Sequence, residues 1–326
     1  MARDRSGRTL NYLRVSLTDA CNLRCLYCMP EEISFRPARQ LLTNEELSRL
    51  LRLFASLGFE KIRFTGGEPT LRDNLAGLIQ NTRAIPGVRE VLLTTNGAHL
   101  KQLARPLVHA GLQRINISLN TLDPGRFTFI TRGGSFDKTW EGILEAEREG
   151  LSIKLNAVIL KGINDRQDPA ALARLTLEHP WQIRFIELMP LGDVAEFQRH
   201  GTVNEHAVFQ QIQQALGPLV PLNGHNGNSM ARLYRLSGAA GTIGFISPYS
   251  HPFCGQCSRA RLTADGKLRL CLLQETEMDL MTPLRTGATD DALKTIMVEA
   301  LQAKPDGHRL HEQHAPPNRG MSEIGG

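Results

Sequence analysis

No uninterrupted apolar stretch in this 326-residue chain approaches the ~18 residues that a membrane-spanning helix needs. The opening, Met1 to Leu17, is polar and basic and lacks the continuous apolar segment of a secretory signal. The expectation is a soluble, cytoplasmic protein. Charge of one sign is also scarce: 38 Lys and Arg stand against 33 Asp and Glu, a net charge of +5. No block of like charges is long enough for a nucleic-acid tail, and the small excess suits a compact polyanion held by a few converging cations. There is no internal repeat and no low-complexity tract. The ten histidines form no ligand-spaced pair, and Trp140 and Trp181 read as structural. At 41% hydrophobic residues the chain is too apolar to be disordered and long enough to bury a large core.

Short β-branched runs alternate with amphipathic stretches. The strand candidates are Tyr12–Leu17, Lys61–Thr65, Val91–Thr95, Arg114–Leu119, Ile153–Leu160 and Gln182–Glu187. Helical patterns cover Glu45–Leu57, His99–Ala110, Asp137–Glu149, Asp168–Glu178 and Glu205–Leu216. The first helix opens with Thr43 and Glu46 at capping-box spacing and stops at Gly58. Repeated strand–helix alternation implies parallel strands covered by helices, an α/β fold. Six such units fit into roughly 210 residues, whereas a closed eight-unit barrel needs about 250. The expected fold is an incomplete (β/α)6 TIM-type barrel, with a flat doubly wound sheet as the alternative. Either places chemistry at the C-terminal strand ends. The pattern changes after Pro218, through a turn-rich break from Pro221 to Asn228. Residues 1–220 are therefore expected to form the barrel, and 221–326 an α+β region covering its open side. There, Arg232–Leu236 pairs with Thr242–Ile246, and Ser258–Thr263 with Lys267–Cys271 around Asp265-Gly266, a hairpin signal. A helix is expected over Asp290–Leu301.

The six cysteines fall into two groups of three: Cys21, Cys25 and Cys28, then Cys254, Cys257 and Cys271. A large cytosolic chain has little use for disulfides, and such clusters more often bind metal or do redox work. The first group is C-x3-C-x2-C, just after the first strand. Three thiolates on one loop hold three corners of a cubane iron–sulfur cluster. No fourth cysteine lies nearby, so one iron stays open to another ligand. The second group is C-x2-C-x13-C, and the Asp265-Gly266 hairpin returns Cys271 towards Cys257. It too lacks a fourth thiol. The spacing leaves zinc open: Cys25, Cys28, Cys254 and Cys257 would suit a four-thiolate site, leaving Cys21 and Cys271 unused.

With the loop Cys21-Asn-Leu-Arg-Cys25-Leu-Tyr-Cys28 and the segment Thr65-Gly66-Gly67-Glu68-Pro69, the chain resembles the radical S-adenosylmethionine (SAM) superfamily. Glycines at such a strand end allow close backbone approach to a ligand. The match extends over essentially the whole chain, through Thr94-Thr-Asn-Gly97, Ile117-Ser-Leu119, Phe185-Ile-Glu-Leu-Met-Pro190 and Phe253-Cys-Gly-Gln-Cys-Ser-Arg-Ala-Arg-Leu262. These blocks are similar to the branch of that superfamily that begins molybdenum cofactor biosynthesis. The resemblance implies two [4Fe–4S] clusters, held by Cys21, Cys25 and Cys28 and by Cys254, Cys257 and Cys271. It implies SAM contacts from Tyr27, Gly66, Gly67, Glu68, Ser118 and Met189. It implies GTP as substrate, held by Arg14, Arg63, Thr94, Lys154, Arg259 and Arg261, with loss of the ribose C3′ hydrogen and closure of C3′ onto guanine C8. It implies a tail, Gly325 and Gly326, that enters the active site. A flavodoxin-type electron donor, a downstream cyclic pyranopterin monophosphate synthase and a homodimer are further expectations from the resemblance. Position 120, where many relatives carry Asp, is Asn120 here, and no role is assigned to it. The rival readings are a peptide-modifying radical SAM enzyme and a zinc-stabilised RNA- or protein-binding module.

Overall fold

Parallel β-strands organise the molecule. The computed structural model describes residues 2–222, 230–308 and 319–325. Most of the turn-rich break before Asn228 and the pair Pro316-Pro317 lie outside the described residues, as does Gly326.

Two short strands, β1 (Ala2–Arg3) and β2 (Thr9–Leu10), pair only with each other. The main sheet starts with β3 (Tyr12–Ser16), β4 (Lys61–Thr65), β5 (Glu90–Thr95), β6 (Arg114–Ser118), β7 (Ser152–Val158) and β8 (Gln182–Ile186). Each pairs in parallel with the next. All six sequence-predicted strands are present within one or two residues. The intervening helices are α1 (Asn44–Ser56), α2 (Leu75–Arg83), α3 (Leu100–His109), α4 (Pro124–Thr131), α5 (Phe136–Arg148) and α6 (Asp168–Glu178), followed by α7 (Ala195–His200) and α8 (Glu205–Leu216). The predicted capping box forms in both directions. Glu46 N–H donates to Thr43 Oγ1 at 3.2 Å, and Thr43 N–H to Glu46 Oε2 at 2.8 Å. Gly58 then takes the left-handed conformation, φ 101°, that ends the helix.

The C-terminal strands are β9 (Val220–Pro221), β10 (Arg232–Arg235), β11 (Thr242–Ile246), β12 (Arg259–Leu262), β13 (Lys267–Arg269) and β14 (Glu277–Asp279), with helices α9 (Met281–Arg285), α10 (Asp290–Gln302) and α11 (Met321–Ile324). Both predicted antiparallel pairs form. These strands do not make a sheet of their own. Strand β12 adds in parallel to the edge of β3, and β11 in parallel to the edge of β8. Among the described residues one twelve-stranded sheet results, with β13–β14 and β10–β9 outermost. A sequence pattern carries no record of such distant pairings, so the parallel run extends beyond the six strands read from it. Among the described residues no helix is long and apolar enough to cross a membrane.

Alternate residues of a strand face opposite sides of the sheet. On one side Leu13, Val15, Ile62, Phe64, Val91, Leu93, Ile115, Ile117, Leu155 and Ile183 are buried in the main core. Each Leu or Phe fully removed from water contributes about 1.5–3 kcal/mol. The helices supply the other half, as with Leu47, Leu50, Leu51 and Phe54 of α1. The opposite side is polar and cationic: Tyr12, Arg14, Lys61, Arg63, Arg114, Asn116, Lys154, Asn156, Arg184, Arg259 and Arg261 all line one cavity. A closed barrel fills that side with packed apolar side chains; here it lines a cavity. Trp140 and Trp181 meet edge to face at 5.9 Å, with His179 stacked on Trp181 at 3.8 Å, as structural aromatics do.

Candidate active site

The cavity encloses about 650 Å³. All six cysteines line it, as do Tyr27, Gly66, Gly67, Glu68, Ser118 and Met189, and Arg14, Arg63, Thr94, Lys154, Arg259 and Arg261. The two thiol groups lie at opposite ends of the strands. Cys21, Cys25 and Cys28 follow the C-terminal end of β3. Cys254 and Cys257 precede the N-terminal start of β12, which pairs with β3 with Arg259 opposite Tyr12. The antiparallel hairpin brings Cys271 back to the same end. At ~3.3 Å per residue, the five-residue strand β3 separates the two groups by roughly 15 Å. The first group thus obeys the C-terminal-end rule, and the second sits at the other end.

The cysteine loop and the glycine loop press on each other. Gly67 N–H donates to Thr18 O at 2.7 Å and Glu68 N–H to Ala20 O at 2.8 Å. A Cβ on Gly67 would stand 2.2 Å from Ala20 O, and one on Gly66 2.6 Å from Thr18 O. The space that excludes side chains there is filled by the backbone of residues 18–20, so the first task of these glycines is loop packing. Glu68 is 1% exposed, and its carboxylate is fully engaged. It accepts from Thr70 N–H (3.0 Å), the Thr70 hydroxyl (2.7 Å), the Thr95 hydroxyl (2.6 Å) and Asn96 N–H (2.7 Å). Asn96 in turn reaches Asn22 at 2.7 Å, beside Cys21. Tyr27 packs against Ile130, Leu160 and Leu188 and accepts from Asn120 Nδ2 at 3.1 Å. Met189 packs against Leu191 and Leu273 while lining the cavity.

None of the six thiols is in a disulfide. Burial pushes Cys25 up to about 12, helped by the charge of Cys21, and pushes Cys28 well above its ordinary value. Burial also raises Cys21 and Cys271. Cys257 behaves differently. Burial acts to raise it, but Arg259 and Lys304 outweigh that and bring it down to about 7. Lys304 Nζ donates to Arg259 O at 2.7 Å, tying the lysine to this end of the sheet. The thiols of each group influence one another electrostatically, so each group is a local cluster. Among the described residues no three His, Cys, Asp or Glu side chains converge as ligands of a single metal ion. A cubane cluster offers a separate iron to each thiolate and draws sulfurs from a wider ring. Three clustered cysteines per group, each lining the cavity, fit that donor set.

Between the two ends the cations crowd. Burial, reinforced by neighbouring positive charge, pulls Lys154 down to about 7 and Arg184 to about 9, and pulls Arg261 well below the usual guanidinium range. Arg63 donates to Leu93 O at 2.9 Å and Thr94 Oγ1 at 3.2 Å. Arg261 donates to the Gly325 carbonyl at 2.7 Å and Arg14 to the same oxygen at 3.5 Å. The Gly325 carbonyl thus meets two cavity-lining arginines; Gly326 lies outside the described residues. Arg184 is a cavity-lining cation that sequence reasoning missed. Its Nε and Nη2 are buried without a hydrogen-bond partner, as are Asn116 Oδ1, Asn156 Oδ1 and Gln182 Oε1 around it. The signal was available: Arg184 shares the in-facing alternation of Gln-Ile-Arg-Phe-Ile with Lys154 of the neighbouring strand. A cavity lined by crowded cations and by donors and acceptors of both kinds suits a polyanion with a polar head.

The parallel sheet, the three-cysteine loop and the glycine loop that packs on it define a radical SAM protein. The family model for the Radical SAM superfamily matches residues 15–175, and that for Molybdenum Cofactor Synthesis C matches residues 181–310. Among solved structures, Streptococcus suis SuiB bound to precursor peptide SuiA shares the fold, with a TM-score of 0.57 and 15% identity over 92% of this chain and 72% of that one. Methylornithine synthase (PylB) does so with a TM-score of 0.51 and 16% identity over 64% of this chain and 63% of that one. Among curated relatives, the GTP 3',8-cyclase of Pelotomaculum thermopropionicum is 45% identical over 326 residues, covering 99% of this chain and 100% of that one. The GTP 3',8-cyclase of Heliobacterium modesticaldum is 45% identical over 327 residues, covering 99% of each. This chain belongs to the GTP 3',8-cyclase family.

Proposed function

We propose that the protein converts GTP to (8S)-3′,8-cyclo-7,8-dihydroguanosine 5′-triphosphate, the first step of molybdenum cofactor biosynthesis. The observation that carries this reading is the pairing of β12 with β3, which aligns Arg259 and Arg261 with Tyr12 and Arg14 between two three-cysteine groups. We read the sheet and its helices over residues 1–220 as an incomplete (β/α)6 barrel, and residues 221–326 as the region that completes the chamber. Cys21, Cys25 and Cys28 would hold a [4Fe–4S] cluster that, with SAM bound, supplies a 5′-deoxyadenosyl radical able to take a hydrogen atom from carbon. Cys254, Cys257 and Cys271 would hold a second cluster whose open iron anchors the substrate.

The chain's own residues then have distinct tasks. Tyr27, Gly66, Gly67, Glu68, Ser118 and Met189 form the SAM end, where Glu68 fixes the loop through its four hydrogen bonds. Arg14, Arg63, Lys154, Arg259 and Arg261 hold the triphosphate, since a guanidinium offers a planar fork and an ammonium a point charge to phosphate oxygens. Thr94 holds Arg63 in place. Arg184, with its unsatisfied donors, joins this set. A flavodoxin-type electron donor, a cytoplasmic location, a homodimer and delivery of the product to a cyclic pyranopterin monophosphate synthase complete the reading.

The test is an anaerobic assay with dithionite, SAM and GTP. Deoxyadenosine should form with GTP and not with ATP or CTP. Equal yields from all three would overturn the substrate assignment. Iron should approach roughly eight per chain, from two four-iron clusters.

A further inference from the structure

Tyr12 lies at the N-terminal end of β3, lines the cavity at 8% exposure, and has no part in the contacts assigned above. Positive side chains act on it from its own strand, from both neighbouring strands and from two strands further along the sheet. Arg14 comes from its own strand, Lys61 and Arg63 from β4, Arg114 from β6, Arg184 from β8 and Arg259 from β12. Lys61 Nζ lies 5.8 Å from the ring centre and Arg63 Cζ 6.0 Å. Arg63 donates through Nε to the phenol oxygen, and Arg14 lies within hydrogen-bonding reach of it. The acid nearby, Glu90 of β5, is already engaged by Lys61 at 2.8 Å and Arg114 at 3.0 Å.

So many buried cations need countercharge when no polyanion is bound. We propose that Tyr12 is the resident counter-anion of the cation cluster, a positioning residue that holds Arg63 and Arg14 in the empty chamber and yields them to the substrate's phosphates. The proposal rests on the reading that the triphosphate of GTP lies on these arginines. Burial works against ionisation of the phenol, but Arg63, Arg14 and Arg259 prevail and bring it to about 7. Phosphate arriving beside a phenolate meets like charge, so the phenol regains its proton on binding. Affinity for GTP therefore falls as pH rises through 7, by up to about tenfold per unit. Below that range the phenol is neutral and offers no opposition.

The experiment is anaerobic calorimetry of GTP binding to reconstituted wild-type protein and the Tyr12→Phe variant, at about pH 6.5 and 8.5, bracketing the tyrosine's midpoint. The expected result is a shallower fall in affinity for the variant, and tighter binding than wild type at the higher pH. Lys154, which also titrates at about 7, is present in both proteins, so the difference in slope belongs to the phenol. Repeating both titrations in two buffers of different ionisation enthalpy should show that wild type takes up about one proton more than the variant at the higher pH, since Lys154 regains its own proton in both proteins. Equal slopes with equal proton uptake, or weaker binding by the variant at both pH values, overturns the proposal. Absence of GTP binding by either protein overturns the underlying site assignment, and the proposal with it.

Discussion

The two three-cysteine groups occupy opposite ends of the same strands, and the charge around them differs more than their spacing does. The first group is buried among its own loops, where Cys25 and Cys28 are strongly held as neutral thiols. The second faces Arg259 and Lys304, and Cys257 ionises at about 7. A metal centre bound by the first group must itself stabilise the thiolates. The second group already has cations suited to thiolate and to phosphate together. The comparison separates an end whose thiols are held neutral from an end whose cations suit an anion.

The harshest way to break the comparison is to remove one thiol from each group. Cys25→Ser should abolish deoxyadenosine formation while leaving GTP binding intact. Cys257→Ser should retain SAM cleavage, uncoupled from product, and lose GTP binding and cyclisation. Chromatographic quantification of deoxyadenosine and cyclised nucleotide, beside calorimetry of GTP, reads both. Identical losses in the two variants would erase the distinction between the ends.

Next in size is the packing of the first end. In Gly67→Ala the new methyl would stand 2.2 Å from Ala20 O, a backbone atom that yields only if the cysteine loop moves. We expect a loss of about 2–4 kcal/mol in stability, typical of backbone clashes in a packed site. Reconstituted iron should fall by about half, because only the first four-iron cluster depends on this loop. Thermal unfolding and iron analysis check it. A variant with full iron and unchanged stability would mean that the loop has slack the geometry does not show.

How much of this was legible in the sequence follows from the range of the interactions involved. The in-out alternation of Lys-Ile-Arg-Phe-Thr or Arg-Ile-Asn-Ile-Ser is local, so strand positions and the polar face could be read directly. Among the helices of eight or more residues, two could not. Pro124–Thr131 is rich in aromatic and β-branched residues and carries little helical periodicity. It is a helix because Asp123 accepts Arg126 N–H at 2.6 Å at its start and because the neighbouring helix packs on it. Leu75–Arg83 is short and starts from Asn74 in the left-handed conformation. The thiol triplets and the cations were legible as residue types. Their arrangement at two ends of one sheet was not, because it depends on β12 choosing the edge of β3 across more than two hundred residues of chain. The packing demand on Gly66 and Gly67 was not legible for the same reason: the atoms they must clear belong to a loop distant in sequence.

A smaller effect separates substrate binding from the first end. Removing Arg184 deletes a buried guanidinium with two unsatisfied nitrogen donors. A charge-assisted hydrogen bond is worth about 1.5–3 kcal/mol, so Arg184→Ala should weaken GTP binding by roughly tenfold to a hundredfold. Iron content and SAM affinity should be unchanged. Weakened SAM binding with normal GTP affinity would move Arg184 to the other end of the chamber.

The subtlest test asks whether the charge contrast exists before any metal binds. In the apoprotein, the rate of Cys257 alkylation by iodoacetamide follows its thiolate fraction. With a midpoint at about 7, the rate should be half its plateau there and fall as pH drops further. Cys25, held up at about 12, should still be rising at the alkaline limit of the measurement. The midpoint, read by mass spectrometry across a pH series, is independent of how accessible each sulfur is, since access scales the plateau and not the midpoint. Arg259→Gln removes the largest favourable charge on Cys257, leaving burial opposed mainly by Lys304, so the midpoint should move up towards that of an ordinary thiol. An unmoved midpoint would show that Lys304 and the local backbone suffice, and that Arg259 is free to serve phosphate alone.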